Sequence, residues 1–445
     1  MARRDDFCSR RGFIKAGAGL AAGTLFPGLI RPALAAEKYP PLGNFPAGVS
    51  GDTVFVGLSI PQTGSYSAEG KDHLRGYQLA IEHINSGALA GKIPELGGKG
   101  VLGKQIKYGV VDTETKPEPA IQGQTRFIRN DKAIMISGCY SSATAVALAK
   151  LGQREHVIYM AGASGSDDTT GKDCQRYCFR SQPDGYMSAK AMAPALADRV
   201  GKNKKAAYLI ADYTFGHTVA NSMMQFTKPL GWKTVTQQVS PLGTVDFSTY
   251  MLNIANSGAD VFVNVTAGND TTVSTKQAKQ FGVLDKMRLV VPTMQPFLAQ
   301  QVGAEVMQGA LGVMDFWWTM ENMNDVMKFF VEEFEKKYHV KPYWAAHIAY
   351  EQMTLWAACV ERAKTFYPPQ VIKTFESEKP FKSTLGDVYY RAGDHQLIRP
   401  VPVVIGKKPS EMHGKDDYFD IAKLVPGKET VPPVSETGCH LGSYT

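Results

Sequence analysis

The sequence predicts an α/β protein of two Rossmann-like lobes, each a parallel sheet covered by helices. Short apolar runs bounded by turn residues alternate with helical periodicity along the chain, the pattern of strand–helix units. Those runs are apolar throughout rather than alternating, as strands buried on both faces are. The rhythm restarts after Phe179-Arg180, and 445 residues, even less a 35-residue leader, are too many for a single core.

In the first series, residues 53–59 predict a strand, 61–70 a turn-rich loop, and 73–85 a helix with Leu74, Tyr77, Ile81 and Ile84 on one side. Strands follow at 106–112, 133–137 and 157–161, with helices at 119–130 and 143–154. The second series has strands at 204–211, 234–239, 259–265 and 288–291 and helices at 217–229, 247–257 and 271–281. Long helices are expected at 325–338 and 345–366. The Pro-, Gly- and charge-rich stretch 414–445 is expected to wrap the surface.

Residues 1–35 read as a leader. Arg10-Arg11 precedes an uncharged run from Ala16 to Ile30, and Ala33-Leu34-Ala35 supplies a cleavage pattern. The run is too short to span a bilayer of about 30 Å. The arrangement resembles a twin-arginine export signal, which implies a periplasmic protein with no direct membrane insertion and no lipid anchor. The formal charge of +7 falls to +3 once the leader's six Lys/Arg and two Asp/Glu are set aside. So balanced a chain shows no footprint for nucleic acid.

Beyond the leader stand Cys139, Cys174, Cys178, Cys359 and Cys439. In an oxidising compartment Cys174 and Cys178 are expected to close a short disulfide loop. Cys359 with Cys439 is a weaker pairing that would tie down the tail. Zinc at Cys174 and Cys178 lacks further ligands at suitable spacing, so no metal and no cofactor are expected. Catalytic motifs fail in the same way. Residues 98–104 nearly match a phosphate loop, but Gln105 stands where Ser or Thr is needed. Gly162-Ala-Ser-Gly-Ser166 is one residue short of a nucleophile elbow and lacks partners. The protein is expected not to be an enzyme.

Ligands of open α/β sheets gather at the carboxyl ends of strands, and four loops fall there. The first, 61–70, holds Tyr66 and Glu69; the second, 138–144, places Ser141 and Ser142 at a helix N-terminus suited to a carboxylate. Plain N-capping by either serine is the competing explanation. The third loop holds Ala163 and Ser164. The fourth, 212–217, holds Tyr213 and Phe215, either of which could close on a ligand or fill a core.

Taken together, these loops resemble the branched-chain amino acid and amide binding proteins of ABC importers, which have the type I periplasmic binding fold. The likeness is carried by 56–64 (VGLSIPQTG), 76–80 (GYQLA), Ile84-Asn85, 138–144, 177–180 (YCFR), 212–216, 278–282 (AKQFG), 342–350 and 391–396. It implies three crossovers, near 179–182, 315–318 and 385–389. Lobe 1 would hold 50–180 and 316–385, and lobe 2 would hold 181–315 and 386–445. The resemblance implies a monomeric periplasmic component that captures a small-molecule ligand by hinge closure and delivers it to an ABC permease. An extracytoplasmic sensing subunit for a membrane receptor is the alternative.

The resemblance also assigns residues. Ser142, with Ser141, matches the serine on the ligand carboxylate, and Ala163 and Ser164 match the segment that follows. Phe215 falls where a tyrosine is common, Glu69 where a first-lobe aromatic lies, and Gly268, Asn269 and Asp270 in a loop that adds another aromatic. One departure stands out: Thr293 occupies the position of the glutamate that neutralises the ligand ammonium. An ammonium without an anion in a closed cleft is costly. Either Asp270 or Glu69 takes that role or the ligand lacks an α-ammonium. The second is favoured here: a small carboxylate or amide, with an aromatic one suggested by Phe215, Met294, Phe316, Trp317 and Trp318.

Overall fold

The computed structural model describes residues 51–444. The leader with its paired arginines and the 39–50 linker lie outside the described residues. The first half supplies β1 (Thr53–Ile60), α1 (Ser67–Ser86), β2 (Gln105–Asp112), α2 (Pro117–Arg129), β3 (Met135–Gly138), α3 (Ser142–Glu155), β4 (Ile158–Ala161) and β5 (Cys178–Arg180). These strands form an all-parallel sheet in the order β2-β1-β3-β4-β5. β3 and β4 are buried throughout, which is why they read as plain apolar runs.

The second half runs α4 (Gly185–Arg199), β6 (Lys205–Ala211), α5 (Thr214–Thr227), β7 (Lys233–Ser240), α6 (Ser248–Ala255), β8 (Val261–Val265) and α7 (Asn269–Gln280). It continues through α8 (Val283–Lys286), β9 (Arg288–Val291), α9 (Pro296–Val302), α10 (Ala304–Met307) and β10 (Leu311–Val313). Then α11 (Asp325–Tyr338), α12 (Trp344–Ala363) and α13 (Pro368–Glu376) lead to β11 (Phe381–Ser383), β12 (Gly386–Tyr390) and β13 (Leu397–Ile398). The chain ends with β14 (Val401–Gly406), β15 (Phe419–Val425), α14 (Gly427–Thr430) and α15 (Val434–Thr437).

The larger sheet has the order β15-β14-β10-β9-β8-β6-β7. Its β6–β10 pairings are parallel, but β14 and β15 add antiparallel, so this lobe is mixed rather than purely parallel. β15 also gives regular structure to part of the 414–445 stretch that composition assigns to the surface. Asn264, in the middle of β8, is fully buried yet satisfied: its amide donates to Ser274 Oγ at 2.9 Å and its carbonyl accepts from Thr266 Oγ1 at 2.7 Å.

α12 returns from the larger sheet to lie along α1. Gly76 makes this packing possible, because a Cβ there would sit 2.1 Å from the Ala346 carbonyl oxygen. Tyr77 Oη then reaches Ser137 Oγ at 2.7 Å and donates to Gln352 Oε1 at 3.0 Å, fastening α1, β3 and α12 together.

Three segments pass between the sheets, after β5, after β10 and before β14. Arg180 and Gln396 pair as an isolated bridge, and Arg180 Nε donates to Gln396 Oε1 at 2.7 Å. The 385–389 segment differs from expectation: β12 there pairs only with β11 and β13, and the chain rejoins the larger sheet at Val401.

The Cys174–Cys178 disulfide is corrected. Cys174 bonds Cys439, while Cys178 is a buried free thiol. Cys178 opens β5, opposite Tyr159 of β4, and points into the core of the smaller sheet, whereas Cys174 sits in the loop ahead of it. Cys359 is not tied to the tail either, being buried in α12 with its thiol on the Val371 carbonyl. Among the described residues no helix is long and apolar enough to cross a membrane, and no group of three or more His, Cys, Asp or Glu is arranged to hold a metal ion.

Candidate functional site

β1 has neighbours on both sides, β2 and β3, and β6 likewise has β7 and β8. Loops leaving such switch points diverge and open a crevice at the strands' carboxyl ends. Here the two crevices face each other, and the loops of one lobe close on those of the other.

Tyr66, buried at the start of α1, meets Tyr213 across the lobes with hydroxyl oxygens 2.6 Å apart. The Tyr66 ring lies on Gly268, where a Cβ would approach within 2.3 Å. Gly268 also has φ +59°, a second reason for glycine. Beside it, Asn269 N–H donates to the Ser65 carbonyl at 3.0 Å, and Gly268 N–H donates to Gln295 Oε1 at 2.8 Å. Gly268→Ala should therefore obstruct closure and weaken ligand binding at least tenfold. Titration calorimetry beside a thermal melt checks this, since an unchanged affinity would place the contact outside the closing motion.

The α3 loop turns through Gly138 (φ +100°) and Cys139 (φ +74°). Ser141 holds the N-cap position of α3, but no side-chain capping bond forms, and its buried Oγ has no partner. Thr144 Oγ1 and Tyr140 Oη are likewise buried and unpartnered. Ser142 Oγ accepts from Ser166 N–H at 3.2 Å. The N-capping explanation thus holds for neither serine. A helix start with free N–H groups and orphaned hydroxyls suits an oxyanion.

In the third loop, Ser164 Oγ meets Thr169 Oγ1 at 2.7 Å, and Ala163 N–H donates to the Cys139 carbonyl. The residues that meet the other lobe are the next two. A Cβ on Gly165 would lie 3.1 Å from the Phe215 ring and 3.6 Å from Thr293 Cγ2, and Ser166 Oγ meets Thr214 Oγ1 at 2.8 Å. Phe215 stacks on Tyr213 with centroids 5.7 Å apart. Two aromatics absent from the expected set complete the wall. Tyr140 lies between Tyr66 and Trp344, at 5.0 and 5.2 Å between centroids. Trp317, by contrast, packs into the larger lobe against Phe419, and Phe316 stacks on His347.

Two carboxyls border this aromatic cluster without a cation. Asp270, at the start of α7, accepts from Gly243 N–H at 2.8 Å through Oδ2, while buried Oδ1 has no partner. Burial pushes its carboxyl up to about 6, the Gly243 N–H opposing the rise. Glu69 is pushed up to about 7 by burial, with a further push from the neighbouring Asp72 carboxyl. Asp72 itself is committed to α12, accepting from Ala346 N–H at 2.8 Å.

Glu69 therefore has a raised folded-state value against 4.5 when exposed. A proton held more tightly in the folded state stabilises fully below pH 4.5, and that contribution is lost as pH rises through about 7. The loss is at most about 3 kcal/mol at 1.4 kcal/mol per unit. Glu69→Gln should raise the ligand-free melting temperature at pH 8 and leave it nearly unchanged at pH 4.5. Equal differences at both pH values would show that Glu69 ionises freely.

The profile of the family described as periplasmic binding protein matches residues 53–409. The chain belongs to the periplasmic binding protein family. It is accordingly a ligand-binding protein and not an enzyme. A curated relative, Leu/Ile/Val-binding protein homolog 7 of Brucella abortus (strain 2308), is 28% identical over 302 residues, spanning 64% of this chain and 71% of the relative. Solved periplasmic binding proteins share the fold. One from Burkholderia mallei superposes with a TM-score of 0.78 at 23% identity, covering 88% of this chain and all of that one. An ABC-transporter solute binding protein from Rhodopseudomonas palustris BisB5, in complex with 3,4-dihydroxybenzoic acid, gives 0.72 at 19% identity, covering 84% and 97%.

Proposed function

We propose that this periplasmic binding protein is the exported ligand-capturing component of an ABC importer, and that it closes its lobes on a small α-amino acid. Export through a twin-arginine route and delivery to an inner-membrane permease are part of this reading. So is a division into lobe 1 (50–180 and 316–395) and lobe 2 (181–315 and 401–445), with the last crossover at 396–400 in place of the expected 385–389 boundary.

The observation that carries the ligand class is the unpartnered, buried Oδ1 of Asp270 at the lobe interface. A buried carboxyl is held up to about 6 until a cation joins it, and a ligand ammonium would supply that cation. The ligand carboxylate would meet the start of α3 with Ser141 Oγ. Thr293 then presents no obstacle, and the preference for an ammonium-free ligand gives way: Asp270 takes the place of the missing glutamate, with Glu69 a second carboxyl on the opposite lobe.

A thermal-shift screen of the mature protein tests this with amino acids, their deaminated analogues, amides, urea and aromatic carboxylates. Ligand at 100 times its Kd should stabilise the fold by about 2.7 kcal/mol. An α-amino acid should shift the melt while its deaminated analogue does not. A shift with aromatic acids alone would overturn the amino acid reading in favour of the ligand type seen in the Rhodopseudomonas palustris complex.

A further inference from the structure

The family match ends at residue 409, but the chain continues through another sheet strand and crosses to the other lobe. We propose that residues 426–444 form a strap over the hinge that biases the lobes toward the closed arrangement, with the Cys174–Cys439 bond fixing its far end. The inference rests on lobe closure but not on the identity of the ligand.

The strap is anchored first on lobe 2. β15 pairs with β14 at the edge of the larger sheet. Gly427 then packs so tightly on Arg399 that a Cβ would fall 2.3 Å from the Arg399 carbonyl oxygen. Over the hinge, Arg391 Nη1 donates to the Pro432 carbonyl at 2.6 Å, and Val434 covers Gly393, where a Cβ would be 2.7 Å from Val434 Cγ1.

The far anchor is on lobe 1. Cys439 is bonded to Cys174, whose neighbour Asp173 pairs with Lys150 of α3 at 2.9 Å. Beyond the bond, Arg176 Nε donates to the Gly442 carbonyl at 3.0 Å, and Tyr177 Oη donates to the Tyr444 carbonyl at 2.6 Å. The terminal segment thus runs over the surface, as its composition predicts, but is held there by specific polar contacts.

Between Val431 and Cys439 the free length is short, and α15 takes up part of it as helix. An extended residue reaches about 3.3–3.6 Å against 1.5 Å in a helix, so separating the anchors would first unwind α15. A tie that a closed form satisfies and an open form strains removes arrangements mainly from the open ensemble. The consequence is a narrower range of lobe opening and slower ligand release.

The test is inter-lobe distance in the ligand-free mature protein. Spin labels go on exposed Glu118→Cys in lobe 1 and Lys276→Cys in lobe 2; Cys139, Cys178 and Cys359 are buried and should stay unlabelled. Adding Cys174→Ser and Cys439→Ser should broaden the distance distribution and lengthen its mean. A second variant keeps the disulfide and inserts Gly-Ser-Gly-Ser between Pro433 and Val434, giving an intermediate broadening even if the serine variant folds poorly. For any ligand found in the screen, release should quicken at least threefold in both. Unchanged distance distributions in the folded variants overturn the strap, whatever binds. A screen without a ligand leaves the distance measurement standing and counts only against the binding reading.

Discussion

Arg399→Leu should cost the fold about 3–5 kcal/mol, the usual penalty for removing one partner of a buried ion pair. The Arg399, Asp315, His347 and Glu351 side chains are all fully buried where the second and third crossovers meet α12. The guanidinium donates to both the Asp315 carboxylate and the Asp315 carbonyl, and stands 3.7 Å from Glu351 Oε2. His347 Nδ1 lies 2.6 Å from the other Asp315 oxygen, while its Nε2 meets Thr384 Oγ1 at 2.8 Å. Burial raises the Glu351 carboxyl and the Arg399 charge opposes the rise, so loss of Arg399 leaves two carboxyls without their guanidinium. Arg399→Lys should recover little, because an ammonium cannot serve both Asp315 acceptors with one planar fork. Adding Asp315→Asn to Arg399→Leu should return part of the stability. Chemical denaturation of the ligand-free protein reads all three, and a loss below about 1 kcal/mol would show that the cluster is not held by its charge pairing.

Much of this architecture is legible in the chain because buried strands leave apolar runs. β1, β3, β4, β6 and β8 follow that rule, and α12 is long enough to be read despite being buried nearly all round. α4 is not read at all: Pro194 interrupts it, and small residues blur its faces. The tail misleads because its Pro, Gly and charges conceal Phe419–Val425, whose stability comes from a partner strand rather than its own composition. The disulfide misleads for the opposite reason. Cys178 is near Cys174 in sequence, but a strand carries it into the sheet, and the true partner stands 265 residues away.

At the site, the loops are predictable from strand ends, whereas the atoms they turn inward are not. Gly165 offers no chemistry in a sequence, yet its missing side chain gives room to the Phe215 ring. Tyr140 and Trp344 meet only because α12 returns from across the hinge to lie along α1, which brings its first residue to the loop ahead of α3. Ser141 is found by its position at a helix start, but that its hydroxyl does not cap is a matter of geometry.

Asp270→Asn should weaken amino acid binding by about 2–5 kcal/mol, roughly 30-fold to several thousand-fold. The asparagine carbonyl can keep the bond from Gly243 N–H, so the loop is preserved while the charge is removed. In the ligand-free protein the same change takes away a buried carboxylate that has no cation beside it, and stability should hold or rise above pH 6. Affinity and stability are therefore expected to move in opposite directions, which damage to the fold would not produce. Acid should imitate the substitution. A ligand ammonium needs the ionised carboxylate, so the wild-type Kd should rise about tenfold per pH unit below about 6, and the asparagine variant should lack that slope. Calorimetric titrations of both proteins at pH 5 and pH 8 decide the matter: parallel pH dependence would remove Asp270 from the ligand's charge partners, and with it the argument for an amine.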